Sequence, residues 1–186
     1  IIDLKKEQTG YINLNFSSEY SQKIIIAFGE HINDGCVRKT IGNRTFSFEY
    51  IAKPGLNKFT SYLRRLGCRY LEVFLEKPIN INYIGLLPTM YPFEVKPFKI
   101  QNNLERKIYK TCIYTLKCCY HEHYEDCPWR EQAFYALDSR NQMLSGYYVF
   151  NNTEQVKSAI KLIAQDNRKD KLLSICYPAG FDLTIP

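Results

Sequence analysis

The 186-residue chain is long enough for one large domain or two small ones. Hydrophobic residues at 45% and charged residues at 24% exclude a disordered or membrane-spanning chain and call for a real core. The formal charge of +6 comes from 25 scattered Lys and Arg. The densest cluster, Arg168 to Lys171, is broken by Asp170, so the basic stripe that nucleic acid requires is missing.

Seven cysteines, an odd number in a chain that is not small, argue against a secreted disulfide framework and for reduced thiols, hence a cytoplasmic location. No run approaches the ~20 apolar residues of a membrane span, so no membrane partner is expected. The N-terminus, Ile1-Ile2-Asp3-Leu4, has neither an initiator Met nor a signal pattern. A true start elsewhere, with an export signal removed, is compatible with that.

From residue 1 to about 87 the chain reads as strands. Ile12, Leu14 and Phe16 alternate with Tyr11, Asn13 and Asn15, and Phe46, Phe48 and Tyr50 alternate with Thr45, Ser47 and Glu49. This period of two marks a sheet with one buried face. Further β-rich runs at Lys23 to Phe28, Leu56 to Tyr62, Cys68 to Glu76 and Ile79 to Ile84 are separated by Asp34-Gly35, Gly42-Asn43 and Pro54-Gly55. Several short strands at this spacing predict an antiparallel β-sandwich.

Pro88, Pro92 and Pro97 then disfavour both helix and central strand, and a domain boundary is placed after residue 97. Leu104, Ile108, Cys112 and Leu116 recur every four residues, with Asn102 and Glu105 resembling a capping box, which predicts a helix. A second helix is expected from Pro128 to about Phe150, and a third capped by Asn152, with Val156, Ala159, Ile160 and Ile163 on one face. The chain closes on a stretch containing Tyr177-Pro178-Ala179-Gly180. Three helices do not close a domain, and the second is apolar around most of its girth, so further neighbours are expected.

The chemistry-bearing segment is His121-Glu122-His123-Tyr124-Glu125-Asp126-Cys127-Pro128-Trp129-Arg130-Glu131. On a helix opening at Pro128, Glu131, Tyr135, Asp138 and Gln142 would share an arc of about 60°. Desolvation and like-charge neighbours raise a carboxyl pKa, so such a stripe suits a general acid. The helix N-terminus opposes this by about 0.3 to 1 kcal/mol. A plainer reading stands beside it, in which Glu131 answers the helix dipole and Asp138 pairs with a Lys on the solvent side.

Asp126-Cys127-Pro128-x-x-Glu131 followed by Asp138 resembles the signature of glycoside hydrolase family 78, the bacterial α-L-rhamnosidases. Asp3-Leu4, Thr9-Gly10-Tyr11, Gly29-Glu30 and Leu66-Gly67-Cys68-Arg69-Tyr70-Leu71-Glu72-Val73 are similar to that family's preceding β-sandwich. The resemblance implies a multidomain β-then-α chain. Its residues 1–97 would be an antiparallel β-sandwich, and residues 98–186 the first helices of an incomplete (α/α)6 six-hairpin catalytic barrel.

It further implies an inverting hydrolase of terminal α-L-rhamnosides. Glu131 would be the general acid, Asp126 and Asp138 would line the sugar pocket, and Arg130 matches an Arg of the motif. No cofactor is implied, and the partner is a rhamnose-containing glycoside. The general base would lie beyond Pro186, leaving this chain alone inactive, and a partner copy could cover the open barrel face. Gln132, Phe134 and Tyr135 stand where many members carry an acidic residue, a second Arg and a Gly-Trp, which bears on sugar specificity. A non-catalytic carbohydrate-binding or structural piece, or a six-hairpin hydrolase of another sugar, are the alternatives.

Two other constellations are set aside. Cys118, Cys119, His121, His123 and Cys127 lack paired Cys-x-x-Cys spacing, so no metal is expected. Cys127 beside His123 is not taken as a nucleophile, because a helix N-terminus lowers many thiol pKa values without catalysis.

Overall fold

The structure, a computed structural model, describes residues 1–151 and 153–178. Two compact units emerge. One comprises residues 1–89 with Pro128–Arg130, and the other residues 90–127 with the chain from Glu131 onward. The expected break after residue 97 compares with a division at Thr89/Met90. Tyr91 and Phe93 pack with the helical unit's core, and the Lys96 N–H donates to the Val149 carbonyl at 2.8 Å.

In the first unit the strands are β1 (Ile2–Ser18), β2 (Gln22–Gly29), β3 (Ile32–Asn33), β4 (Cys36–Val37), β5 (Thr40–Ile41), β6 (Arg44–Thr45), β7 (Ser47–Ala52), β8 (Gly55–Phe74) and β9 (Ile79–Pro88). Strands β3–β4 and β5–β6 are short hairpins turning at Asp34-Gly35 and Gly42-Asn43. The others form one antiparallel sheet in the order β7-β2-β8-β1-β9. The two runs expected at 56–62 and 68–76 are a single strand, β8, bent where four of its residues (61–64) oppose Ile12 alone on β1. Such bulges twist and bend a strand.

The bend lets the sheet cover its own core. Ile12, Leu14 and Phe16 of β1 and Ile84 and Leu86 of β9 share one cluster with Ile24, Ile26 and Phe28 of β2, although β8 and β1 separate β2 from β9 in the sheet. The layered core of a sandwich is thus built from one curled sheet. Trp129 completes it, 6% exposed, with its ring centroid 4.8 Å from that of Phe46. Two glycines admit the tripeptide. A Cβ on Gly67 would lie 2.0 Å from the Pro128 carbonyl oxygen, and one on Gly29 would lie 3.2 Å from the Trp129 ring.

The second unit holds α1 (Asn103–Cys118), α2 (Ala136–Val149) and α3 (Glu154–Ile163). The Asn102 side chain caps α1, accepting from the Leu104 and Glu105 amides at 2.8 and 3.2 Å. Such a cap is worth about 1 kcal/mol. Asn152, expected to cap the third helix, lies outside the described residues, as do Ala179 and Gly180. The core joins Tyr120, Tyr124, Phe134, Val156 and Ala159, with Phe93 stacked on Tyr120 and on Phe150. Helix α1 keeps much of its predicted apolar stripe exposed, including Leu104 and Ile108. Among the described residues, no helix is long and apolar enough to cross a membrane.

Candidate active site

The helix expected from Pro128 does not begin there. Residues 128–131 make one turn, residues 132–134 have no regular structure, and α2 starts at Ala136. Three local features prevent a continuous helix. Gln132 adopts a left-handed φ of 53°, the Ala133 amide donates to Asp126 Oδ1 at 2.9 Å, and the Glu131 amide donates to Cys127 Sγ at 3.4 Å. The backbone beyond then pairs with the chain's end, since the Ala136 N–H reaches the Ile175 carbonyl and the Tyr177 N–H the Phe134 carbonyl. Glu131, Tyr135, Asp138 and Gln142 therefore do not form one helical stripe. Only Asp138 and Gln142 sit on α2, one turn apart.

Part of the intended grouping survives by another route. The Tyr135 hydroxyl is hydrogen bonded to the Glu131 carboxylate. Burial and then this bond push the phenol above its usual value, with Cys176 and Asp126 also close enough to act on it. Cys176, buried, is pushed up by burial, with Asp126 and Glu131 as its charged neighbours. Asp126, Glu131 and Tyr135 thus converge with Cys127 and Cys176.

Asp126 is held doubly. Its own N–H donates to the Ala133 carbonyl at 2.9 Å while its carboxylate takes the Ala133 amide. It also opens on a cleft of about 410 Å³ between α1 and α2, shared with Leu116, Cys119, Asn141, Gln142 and Ser145. That size lies within the range of small-molecule sites, roughly 300 to 1,000 Å³. Asp138 is exposed in the first turn of α2 and, among the described residues, makes no hydrogen bond to the group. Arg130, also exposed, belongs with the sheet unit, where its carbonyl accepts from the Arg44 guanidinium at 3.0 Å.

Sequence reasoning passed over Cys127 as a structural element and did not single out Cys176. The signal for Cys127 was its place inside the motif, the six residues from Asp126 to Glu131. Nothing in the local sequence marks Cys176. The residues weighed as a metal cluster are otherwise engaged, with His121 Nε2 at 2.9 Å from the Cys118 carbonyl and His123 Nδ1 at 2.9 Å from that of Tyr124. Among the described residues, no group of three or more His, Cys, Asp or Glu is placed to hold a metal ion.

A curled antiparallel sheet followed by three helices is the order of elements that the sequence predicted. Residues 94–185 match the model of the bacterial alpha-L-rhamnosidase 6 hairpin glycosidase domain. No curated protein matches the chain. Among solved structures, the family 78 rhamnosidase of Bacillus sp. GL1 is similar at 26% identity and a TM-score of 0.81, over 96% of this chain and 19% of that one.

The rhamnosidase from Klebsiella oxytoca with rhamnose bound shares the fold at 20% identity and a TM-score of 0.78, over 94% of this chain and 37% of that one. So does the Streptomyces avermitilis α-L-rhamnosidase complexed with L-rhamnose, at 18% identity and 0.78, over 97% of this chain and 18% of that one. The chain spans about a fifth of the Bacillus protein's length. Over residues 94–185 it is similar to the bacterial α-L-rhamnosidase six-hairpin domain, and over nearly its whole length it resembles the family 78 rhamnosidase of Bacillus sp. GL1.

Proposed function

We propose that the full-length gene product is a glycoside hydrolase that releases terminal α-L-rhamnose with inversion, using Glu131 as general acid. The observation that carries this reading is the position of Glu131. It follows Asp126-Cys127-Pro128 inside the segment that matches the rhamnosidase family, and it is grouped with Tyr135 and with Asp126, which lines an open cleft. Both the Klebsiella and the Streptomyces structures hold rhamnose, which supports a carbohydrate as the ligand.

In the reaction the glycosidic C–O bond breaks as its oxygen takes the Glu131 proton. A water oxygen bonds to the anomeric carbon from the opposite face and loses its proton to a second carboxylate, about 6.5 to 9.5 Å from the first. That base is assigned to no residue of this chain, so the 186-residue chain alone is expected to be inactive. Asp126 is the best placed of the sugar-binding candidates, and Asp138 and Arg130 complete the set carried by the motif.

The test is hydrolysis of an aryl α-L-rhamnoside by the full-length protein and by its Glu131→Gln variant. The variant is expected to lose about a hundredfold or more in kcat, the scale of a missing general acid. A parent that is folded but inert on rhamnosides would move the assignment to another sugar or to the non-catalytic alternative.

A further inference from the structure

The Cys127 side chain sits at the centre of the loop that presents Glu131. It is half-buried, and its sulfur accepts the Glu131 amide at 3.4 Å and the Gln132 amide as well. The Asp126 carboxylate beside it is the acceptor for its S–H and, after burial, helps to push the thiol up. Asp126 in turn holds the Ala133 amide at 2.9 Å, so one continuous hydrogen-bonded path runs from Ala133 through Asp126 and Cys127 to Glu131 and Gln132.

The path encloses a backbone that needs holding. Gln132 has a φ of 53°, a left-handed conformation that costs an L side chain roughly 1 to 2 kcal/mol. The two amides bound by the sulfur are those of Glu131 and of Gln132 itself. They fix the direction in which the chain leaves Glu131, and with it the start of the Glu131 side chain.

We propose that Cys127 is the positioning residue for the general acid, its sulfur clamping the Glu131 and Gln132 amides so that the Glu131 carboxyl meets the departing glycosidic oxygen. The inference rests on the reading of Glu131 as that acid. A role as nucleophile fits the site poorly, because burial pushes the thiol up and so disfavours the thiolate.

A misplaced acid betrays itself by the leaving group. Phenyl α-L-rhamnoside expels a basic oxygen that needs the proton, whereas the 2,4-dinitrophenyl glycoside expels one that does not. The experiment measures kcat on both substrates for the full-length parent, Cys127→Ala, Cys127→Ser, Glu131→Gln and the Cys127→Ala/Glu131→Gln double variant. The ratio of the two rates belongs to each variant separately, so a fraction of misfolded protein cancels.

Cys127→Ala is expected to lose about tenfold on the phenyl substrate and little on the dinitrophenyl one. Cys127→Ser, which retains an acceptor for the two amides, is expected to recover most of that loss, and in the Glu131→Gln background Cys127→Ala should cost nothing further. If Glu131→Gln shows the leaving-group dependence while Cys127→Ala keeps the parent's ratio, the positioning role is overturned and the acid assignment stands. If the parent is inert on both substrates, or Glu131→Gln keeps the parent's ratio, the acid assignment falls and this proposal falls with it.

Discussion

Replacing Trp129 by Ala is expected to lower the stability of the chain by about 3 to 5 kcal/mol, the range for truncating a large buried aromatic. The indole is 6% exposed, its centroid lies 4.8 Å from that of Phe46 and 5.9 Å from that of His31, and the Gly29 backbone passes close to its edge. Nothing nearby is small and mobile enough to refill that space, because the sheet residues around it are themselves packed in the curled core. Trp129→Phe should cost clearly less. It keeps most of the ring, and the buried indole N–H that it removes has no hydrogen-bond partner among the described residues. Urea unfolding of the two variants measures the difference, and an Ala variant within 1 kcal/mol of the parent would show that the indole does not hold the core.

A second large effect should come from Glu7→Gln, and it should depend on pH. Burial, reinforced by the charge of Glu30, pushes the Glu7 carboxyl from its ordinary 4.5 up to about 8. A group raised in this way leaves stability intact below its unfolded pKa and loses it as pH rises towards the folded value. Between about pH 4.5 and 8 the unfolded chain ionises freely while the fold resists, so the parent weakens across that window. The full shift corresponds to about 5 kcal/mol. Partial exposure of Glu7 brings the expectation to roughly 3 kcal/mol.

Glu7→Gln, which cannot ionise, should therefore match the parent near pH 4 and exceed it by that amount near pH 8.5. Equal differences at both pH values would remove the carboxyl as the cause. Cys68, buried and also raised by burial and by the two glutamates, marks the same apolar environment from the neighbouring strand.

Much of the sheet was legible because its rules are local. The alternation through Ile12, Leu14 and Phe16 identified the buried face, and the spacing of Asn102 and Glu105 marked the start of a helix whose cap the structure shows. The continuity of β8 was not legible, since turn signals and runs say nothing about four residues bulging opposite one. The start of the second helix was misplaced for a non-local reason. Pro128 suits a helix N-terminus, but Trp129 is claimed by a core assembled from sheet residues between Ile12 and Leu86, and Gln132 turns left-handed.

The site was legible in composition rather than in geometry. Glu131 and Tyr135 do meet, through a hydrogen bond from a loop instead of along a helix face, whereas Asp138 stands exposed on α2. Cys127 escaped because a sulfur that accepts backbone amides leaves no periodic trace.

The tripeptide Pro128–Arg130 also bears on how such proteins can be recombined. A chimaera that joins the sheet of one relative to the helices of another at the proline-rich segment would bring a foreign Trp129 into a core shaped by Gly29, Phe46 and Gly67. Those four positions must be inherited together, and a donor sheet with a side chain at position 67 would displace the backbone immediately ahead of Glu131. The boundary suited to swapping modules is therefore not a single point in the chain, but a cut at residue 89 together with the transplant of residues 128 to 130.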